Sequence, residues 1–189
     1  MALNLTTRAD YKAYAGIKST NSDVEIDVLI PKVSQLVKSY CRRTFVDYWN
    51  VPLQQIFDGG FKELILAETP IVAVTSVEKS TDFGVTYTAL TRNTQWVIRG
   101  DTIYSTETTG FEPLVNGYRV TYTAGYDDVP NDLELAVMDL ITYYRKNDSA
   151  VHNNRTPGGG GSVQLEYIMN NNFPANIKRV LDLYVADYT

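Results

Sequence analysis

The chain has 189 residues, of which 44% are hydrophobic and 21% are charged, and its formal net charge is -5 at pH 7. A chain of this length and composition can bury a core, which argues against disorder, and no apolar stretch approaches the roughly 20 residues that span a membrane. The acidic balance argues against a protein that grips DNA, because phosphate affinity is supplied by Lys and Arg.

The N-terminal segment predicts a short helix over residues 7–15. Thr7 followed by Asp10 is typical of a capping box, and Gly16 suits the residue that ends a helix. The first ten residues, MALNLTTRAD, have no basic start leading into an apolar run. We therefore expect a protein that is made and kept in a cytoplasm.

A longer helix is predicted over residues 23–41, where Ser22 and Glu25 repeat the capping signal. Its apolar residues recur every three or four positions, as in an amphipathic helix. They are Ile26, Leu29, Ile30, Val33, Leu36, Val37 and Tyr40. Pro31 lies inside this run and removes one backbone hydrogen bond, so we expect a kink or two abutting helices.

Residues 47–123 are typical of antiparallel strands, with short runs rich in Val, Ile, Thr and Tyr between glycine turns. The sequences DGG at residues 58–60 and RGD at residues 99–101 suit tight hairpin turns that need a positive φ. The run PIVAVTSV at residues 70–77 is apolar on both faces, which predicts a central strand covered on each side.

The segment that follows predicts a strand and then a helix. Apolar and polar residues alternate from Tyr118 to Tyr122, which predicts a strand with one buried face. Asn131 suits the N-cap of a helix and Glu134 its third position, so a helix is predicted over residues 132–147. Its buried stripe is expected to comprise Leu133, Ala136, Val137, Leu140, Ile141 and Tyr144.

The last part of the chain predicts a loop and a terminal helix. Residues 148–173 are polar and contain four consecutive glycines, which indicates a flexible loop. The glycines are Gly158, Gly159, Gly160 and Gly161. A phosphate-binding loop needs a Lys followed by Ser or Thr at the start of a helix, and Ser162 with Val163 follows instead.

No arrangement of residues favours catalysis, a metal or a cofactor. His152 is the one histidine and Cys41 the one cysteine, and we interpret them as a solvated loop residue and a packed thiol rather than as a catalytic pair. Asp127, Asp128 and Asp132 lack the spacing of a calcium loop, and aspartate is common in turns and first helical turns. We therefore expect no enzyme and no cofactor.

The segment YRVTYTAGYDDVPNDLELAVMDLITYYRKN, at residues 118–147, resembles the head-tail connector (adaptor) family of tailed phages. In that family a strand ending in Tyr-x-Ala-Gly-Tyr leads through Val-Pro to a long helix. The segments LTTRADYKAYAGI, IDVLIPKVSQLVKSYCRRTF, PIVAVTSVEKS and NIKRVLDLY are also similar to it. Pro31 and the glycine-rich insertion depart from the usual pattern of the family.

The resemblance implies an α+β, mostly helical fold: a small helical bundle with an antiparallel strand or hairpin region. It divides the chain into a connector core at residues 1–147, a flexible loop at 148–173 and a C-terminal docking helix at 174–189. It also implies a structural virion protein of the neck that forms a dodecameric ring. The ring joins the portal to a head-completion (stopper) or tail protein, and DNA passes through its lumen without sequence-specific binding.

Assembly contacts are expected on the loops and on the terminal helix, which the resemblance implies reaches the portal. The 14 tyrosines agree with partners, because tyrosine is enriched at protein interfaces. The expected docking stripe comprises Ile177, Val180, Leu181, Leu183 and Tyr184. The same stripe equally suits packing on the chain's own domain.

Two functions of other classes remain as alternatives. A DNA-binding accessory factor of phage packaging is suggested by the basic pairs Arg42-Arg43 and Lys178-Arg179. A hydrolase with an unrecognised carboxylate site is possible in principle, since 22 acidic residues allow some pair to meet in space. Nothing in the sequence singles out such a pair.

Overall fold

The computed structural model describes residues 3–152 and 173–186, except for the side chains of residues 147–152. The α+β class is confirmed: the described residues form four helices and two small antiparallel sheets in roughly balanced shares rather than a mostly helical fold. Two compact units are present. Asn4–Cys41 and Pro130–Val185 form the helical unit, and Arg42–Val129 forms most of the strand unit.

Helix α1 spans Arg8–Ala15, as the capping signal predicts. The amide of Asp10 donates to the Thr7 hydroxyl over 3.2 Å, and Gly16 ends the helix in a left-handed conformation with φ of 67°. The predicted start of the first helix is therefore confirmed together with its physical cause.

Helix α2 spans Asp23–Cys41 as one helix that contains Pro31, so the expectation of two abutting helices is wrong. Pro31 and Asp27 are both exposed residues. Pro31 has no N–H, so it cannot donate a hydrogen bond to the backbone carbonyl of Asp27. The opposite side of the helix is buried through Ile26, Ile30, Val33 and Val37. Burial of this continuous apolar stripe keeps the helix intact across the proline.

Helix α3 spans Asn131–His152, so it continues past the predicted end at residue 147. Five residues of its predicted stripe are buried, whereas Tyr144 is 38% exposed. Glu134 accepts a hydrogen bond from the Thr6 hydroxyl over 3.0 Å. Of the predicted loop, residues 153–172 lie outside the described residues, and with them Gly158, Gly159, Gly160 and Gly161.

Helix α4 spans Ala175–Leu181 and is followed by a 3-10 turn over Asp182–Tyr184. Within residues 3–152 and 173–186, none of the helices combines the length and apolar character that a membrane crossing requires.

Ion pairs and buried polar contacts join the helices of the helical unit. Arg8 and Lys12 of α1 pair with Asp27 and Asp23 of α2, each over 2.6 Å. The amide of Leu5 donates to the buried Ser34 hydroxyl, and the buried Tyr11 hydroxyl lies 3.1 Å from that of Thr142 on α3.

In the described part of the strand unit there are seven strands: β1 Leu53–Phe57, β2 Glu63–Ile65, β3 Ile71–Lys79, β4 Thr88–Ala89, β5 Trp96–Arg99, β6 Thr102–Ser105 and β7 Tyr118–Ala124. The first sheet has the order β1-β7-β3-β4 and the second the order β2-β6-β5, with antiparallel pairing throughout. Tyr118, Val120 and Tyr122 are buried in the core of this unit, which confirms the one-sided strand.

One of the two predicted hairpins is confirmed. Residues 99–101 turn between β5 and β6, and Gly100 has φ of 57°. Residues 58–60 instead carry the chain from the first sheet to the second, because β1 pairs with β7 and β2 with β6. At Gly59, a Cβ would lie 1.8 Å from the Glu112 carbonyl oxygen, so this glycine serves close packing.

The prediction that the PIVAVTSV strand is covered on both sides is wrong. It forms β3, between β7 and β4, but Val72, Ala73 and Thr75 are exposed. The pairing with β7 is irregular between Ile71 and Ala73 and again between Val74 and Ser76. The apolar core of the strand unit covers one face of the sheet, and the other face remains open.

The end of β7 closes the strand unit at Gly125, within the sequence Tyr-Thr-Ala-Gly-Tyr. The amide of Gly125 donates to the Pro70 carbonyl and that of Tyr126 donates to the Phe45 carbonyl, each over 2.8 Å. Gly125 has φ of 99°, and a Cβ there would lie 1.9 Å from the Phe45 carbonyl oxygen. Only glycine fits this position.

Replacement of Gly125 by Ala is therefore expected to lower the free energy of unfolding by at least about 3 kcal/mol, through backbone strain and a clash with backbone. Gly100→Ala is the matched control, since it also has a positive φ but has no atom within 4 Å of the added Cβ. We expect a loss of about 1 kcal/mol there. Denaturant unfolding followed by tryptophan fluorescence reports the strand unit, which contains both Trp49 and Trp96. Equal losses in the two variants would contradict this account.

Candidate assembly surfaces

Two of the residues considered for catalysis and metal binding, Cys41 and Asp132, have structural contacts. The Cys41 thiol is buried and donates to the Leu181 carbonyl over 3.6 Å, while the side chain of His152 lies outside the described part. Asp132 accepts hydrogen bonds from the Tyr184 hydroxyl and from the amide of Leu133. Among the residues that the structure describes, no three acidic, histidine or cysteine side chains come together as metal ligands.

The five residues of the predicted docking stripe have different environments. Ile177 and Leu181 are buried in the helical unit, and Val180 and Tyr184 are half-buried. Leu183, in the 3-10 turn, is 76% exposed. A partner can therefore reach Leu183 without displacing the helix, whereas contact with Ile177 or Leu181 requires α4 to leave its place.

Polar and aromatic contacts hold α4 to α2. Asp182 accepts hydrogen bonds from the Tyr40 hydroxyl over 2.5 Å and from the Lys178 ammonium over 2.8 Å. Lys178, and after it Tyr40, lower the pKa of the Asp182 carboxyl from its ordinary value. The rings of Tyr40 and Phe173 also meet edge to face, with centroids 4.9 Å apart. Leu183 consequently follows a segment whose position is fixed.

The two basic pairs do not form a continuous cationic surface within either unit. The Arg43 guanidinium donates to the Thr69 carbonyl over 3.4 Å, and Lys178 is paired with Asp182. One member of each pair is thus engaged inside its own unit. This leaves little to support the DNA-binding alternative, which depends on clustered Lys and Arg.

Three connections meet at one end of the strand unit, which we call the loop end: residues 58–62, 80–87 and 106–117. Backbone hydrogen bonds join them, from Gly59 to the Leu114 carbonyl over 2.9 Å and from Ser80 to the Gly117 carbonyl over 2.8 Å. The amide of Asn116 also donates to the Asp58 carboxylate over 2.7 Å. The loop end is therefore held by contacts between all three connections.

Four large apolar side chains are exposed at the loop end. They are Phe61, Phe83, Val85 and Val115, and their exposed fractions lie between 59% and 80%. Exposed apolar groups on connections held in place are typical of a protein contact surface. Sequence periodicity does not identify these residues, since they lie in connections between strands. The sequence feature that could have indicated them is the presence of apolar residues close to turn glycines.

Asp82 organises the connection that carries Phe83 and Val85. Its carboxylate accepts hydrogen bonds from the amides of Val85 and Thr86 and from the hydroxyls of Ser80 and Thr86. These bonds, led by that from the Thr86 hydroxyl, lower the pKa of Asp82 from 3.8 to about 2. Phe83 has φ of 62°, a conformation that this network maintains.

The sequence model of the head completion protein family matches residues 4–186. No curated protein sequence matches the chain. Solved structures with a similar fold come from particles of a gene transfer agent (GTA), at sequence identities of 13% to 14%. At such identities the likeness shows the fold alone.

A chain in the neck of an empty GTA particle, computed with C6 symmetry, has a TM-score of 0.62 at 13% identity, and the match covers 100% of this chain and 97% of that one. A chain in the virion of the native particle has a TM-score of 0.59 at 14% identity, with 98% and 91% covered. A chain in the neck of the native particle, computed with C12 symmetry, has a TM-score of 0.50 at 14% identity, with 100% and 97% covered.

Thr86→Val is expected to raise the pKa of Asp82 from about 2 towards 3.8, because it removes the hydroxyl that lowers this pKa most. The pKa of Asp82 in the folded protein lies below its ordinary value. The bonds to Asp82 therefore stabilise the connection fully above pH 3.8, and this stabilisation is lost as the pH falls towards about 2. Carboxyl NMR titration measures the shift. Thr88→Val is the control, since that hydroxyl does not lower the Asp82 pKa; a similar shift in both variants would count against the network.

Proposed function

The chain belongs to the head completion protein family, and from this membership we propose that it forms a ring in the neck of a phage-like particle. It is a structural virion protein of the neck and not an enzyme. The observation that carries the proposal is the family match over residues 4–186, which includes both units.

The proposed ring is dodecameric and lies between the portal of the capsid and the next protein of the neck, a stopper or tail protein. Neck chains of similar fold in GTA particles were computed with C6 and C12 symmetry, which supports a ring of repeated copies. In a closed ring each copy uses two different surfaces to contact its two neighbours. Other surfaces remain for the portal and for the next neck protein.

The charge of the subunit agrees with a channel through which DNA passes. Each copy has a formal net charge of -5, and the basic pairs are partly engaged within their units. A wall built from such copies offers few cations for phosphate contacts and releases few counterions. DNA therefore moves through the lumen without sequence-specific binding and without strong adhesion.

Two surfaces, one in each unit, suit contacts with other proteins of the neck. Leu183 is the exposed member of the docking stripe, and we assign it to the portal, with Tyr184 and Val180 at the margin of the contact. The four apolar side chains of the loop end are assigned to the next neck protein. Ile177 and Leu181 hold α4 in the helical unit and contribute to docking through the position of the helix.

Electron microscopy of the purified protein, alone and mixed with portal rings of the same particle, tests this function. We expect rings stacked coaxially on the portal, with twelve copies by native mass spectrometry. A protein that neither forms rings nor stacks on the portal contradicts the proposal. A salt-dependent shift of duplex DNA by the isolated protein favours the packaging factor instead.

Leu183→Asp is expected to weaken attachment to purified portal rings by about 10- to 100-fold, which corresponds to the loss of one buried leucine. The side chain is exposed, so the melting temperature is expected to stay unchanged. Val51→Asp serves as the control, because it places the same charge at an exposed apolar position outside the loop end. Attachment of Leu183→Asp at wild-type strength rules out this docking contact.

A further inference from the structure

Helix α2 has an uncharged stripe on the side opposite its buried face. We call Val24, Val28, Pro31, Gln35 and Ser39 the outward stripe; all five are exposed. Val24 is 79% exposed and Val28 47% exposed. The spacing of the first four residues is four, three and four, which places them along one side and matches the seam by which helices pack against each other.

This stripe is unusual for a surface that faces water. A helix with one face in a core normally carries charged side chains on the opposite face. Here the inward face is complete, with Ile26, Ile30, Val33 and Val37 buried. The outward stripe runs from Val24 to Ser39, over most of the 19 residues of α2, a length of about 23 Å at the rise of an α-helix.

The residues of the outward stripe also oppose local helix stability. Valine is a weaker helix former than Ala, Lys or Glu, and proline is the least favourable residue inside a helix. Pro31 moreover has no N–H for the Asp27 carbonyl, so this acceptor lacks its usual helical donor. Because these side chains are exposed, the described part of the chain offers no compensating burial.

Asp27 and Glu25, the acidic residues beside the start of the stripe, are paired with cations of the helical unit, while Lys32 is exposed four residues after Val28. Asp27 pairs with Arg8 of α1 over 2.6 Å. Glu25 pairs with Arg145 of α3 over 3.1 Å, and the same guanidinium donates to the Ser22 hydroxyl. Both flanks near the start of α2 are therefore electrically balanced.

Charge balance favours a second copy of this chain as the occupant of the stripe. Two copies with a net charge of -5 repel each other, so they approach most easily where charge is absent or internally paired. DNA requires cations, which the stripe lacks. On the premise that the ring exists, we propose that the outward stripe of α2 is one side of the contact between neighbouring copies.

Within a ring this contact joins two different surfaces, so the stripe packs on an apolar surface elsewhere on the neighbour. The valines supply buried apolar area, and Gln35 and Ser39 supply hydrogen-bonding groups at the far end of the stripe. A donor from the neighbour satisfies the Asp27 carbonyl that Pro31 leaves without its helical partner. The proline thus weakens the helix locally but leaves an acceptor for the contact between copies.

The paired substitution Val24→Asp with Val28→Glu tests this contact. An acidic residue in the first turn of a helix is favourable, and both positions are exposed, so the variant is expected to fold. Under conditions in which the wild-type protein forms rings, alone or on the portal, we expect at least a tenfold loss of complete rings, measured by native mass spectrometry and electron microscopy. The control, Val51→Asp with Ile56→Glu, adds the same charge at exposed apolar positions and is expected to retain the rings.

A second variant, Val24→Ala with Val28→Ala, separates assembly from folding without adding charge. Because Ala is the better helix former, stability is expected to rise slightly while ring formation falls severalfold. A purely structural role would move both in the same direction.

The outcomes separate the contact from the ring itself. If the wild-type protein forms rings and the stripe variants form them equally well, the assignment of the stripe is wrong and the proposed ring still stands. Rings that form but no longer stack on the portal assign the stripe to the portal instead. If the charge-matched control also loses its rings, the effect is due to net charge and the assignment of the stripe is wrong. If the wild-type protein never forms rings, both proposals are wrong.

Discussion

The strand unit depends on the contact between its first and last segments. At the end of β7, the amides of Ala124 and Tyr126 donate to the carbonyls of Tyr48 and Phe45, from the segment that follows α2. Gly125 lies between them, so close to Phe45 that no side chain fits. This contact places β7 beside β1 and β3, and its buried side chains then supply the centre of the core. The Tyr-x-Ala-Gly-Tyr sequence is therefore a structural requirement.

Local signals predicted the helices well because they act within a few residues. The capping residues gave α1 its limits and the apolar spacing predicted α2, and even Pro31 did not divide α2, since the buried side of the helix decided the outcome. Strand pairing depends on distant segments: residues 58–60 look like a hairpin turn but connect two sheets. Likewise, the apolar run of β3 carries no sign that one side of its sheet remains open.

The candidate surfaces were harder to predict, because the same residue pattern serves a core and a docking face. The spacing of Ile177 and Leu181 suits a core as well as a docking face, and the structure shows both residues buried, whereas Leu183 is exposed. Phe61 and Phe83 lie in connections, where apolar periodicity carries no information. Exposure of an apolar side chain depends on the tertiary structure, so only the structure identifies the loop end and separates the outward stripe of α2 from its buried one.

The internal pairing of charges connects these surfaces to assembly. Arg119 bonds Glu78 over 2.6 Å and lies 4.2 Å from the ring centroid of Tyr87, and Lys79 pairs with Glu112, all within the strand unit. An acidic subunit that neutralises its own charges locally can pack against identical copies without repulsion at the points of contact. At the loop end, the network of Asp82 fixes the connection before any partner arrives, so little conformational entropy remains to be lost on docking. In the proposed ring, apolar surfaces that are ordered in advance would let copies that repel each other at long range associate in a defined geometry.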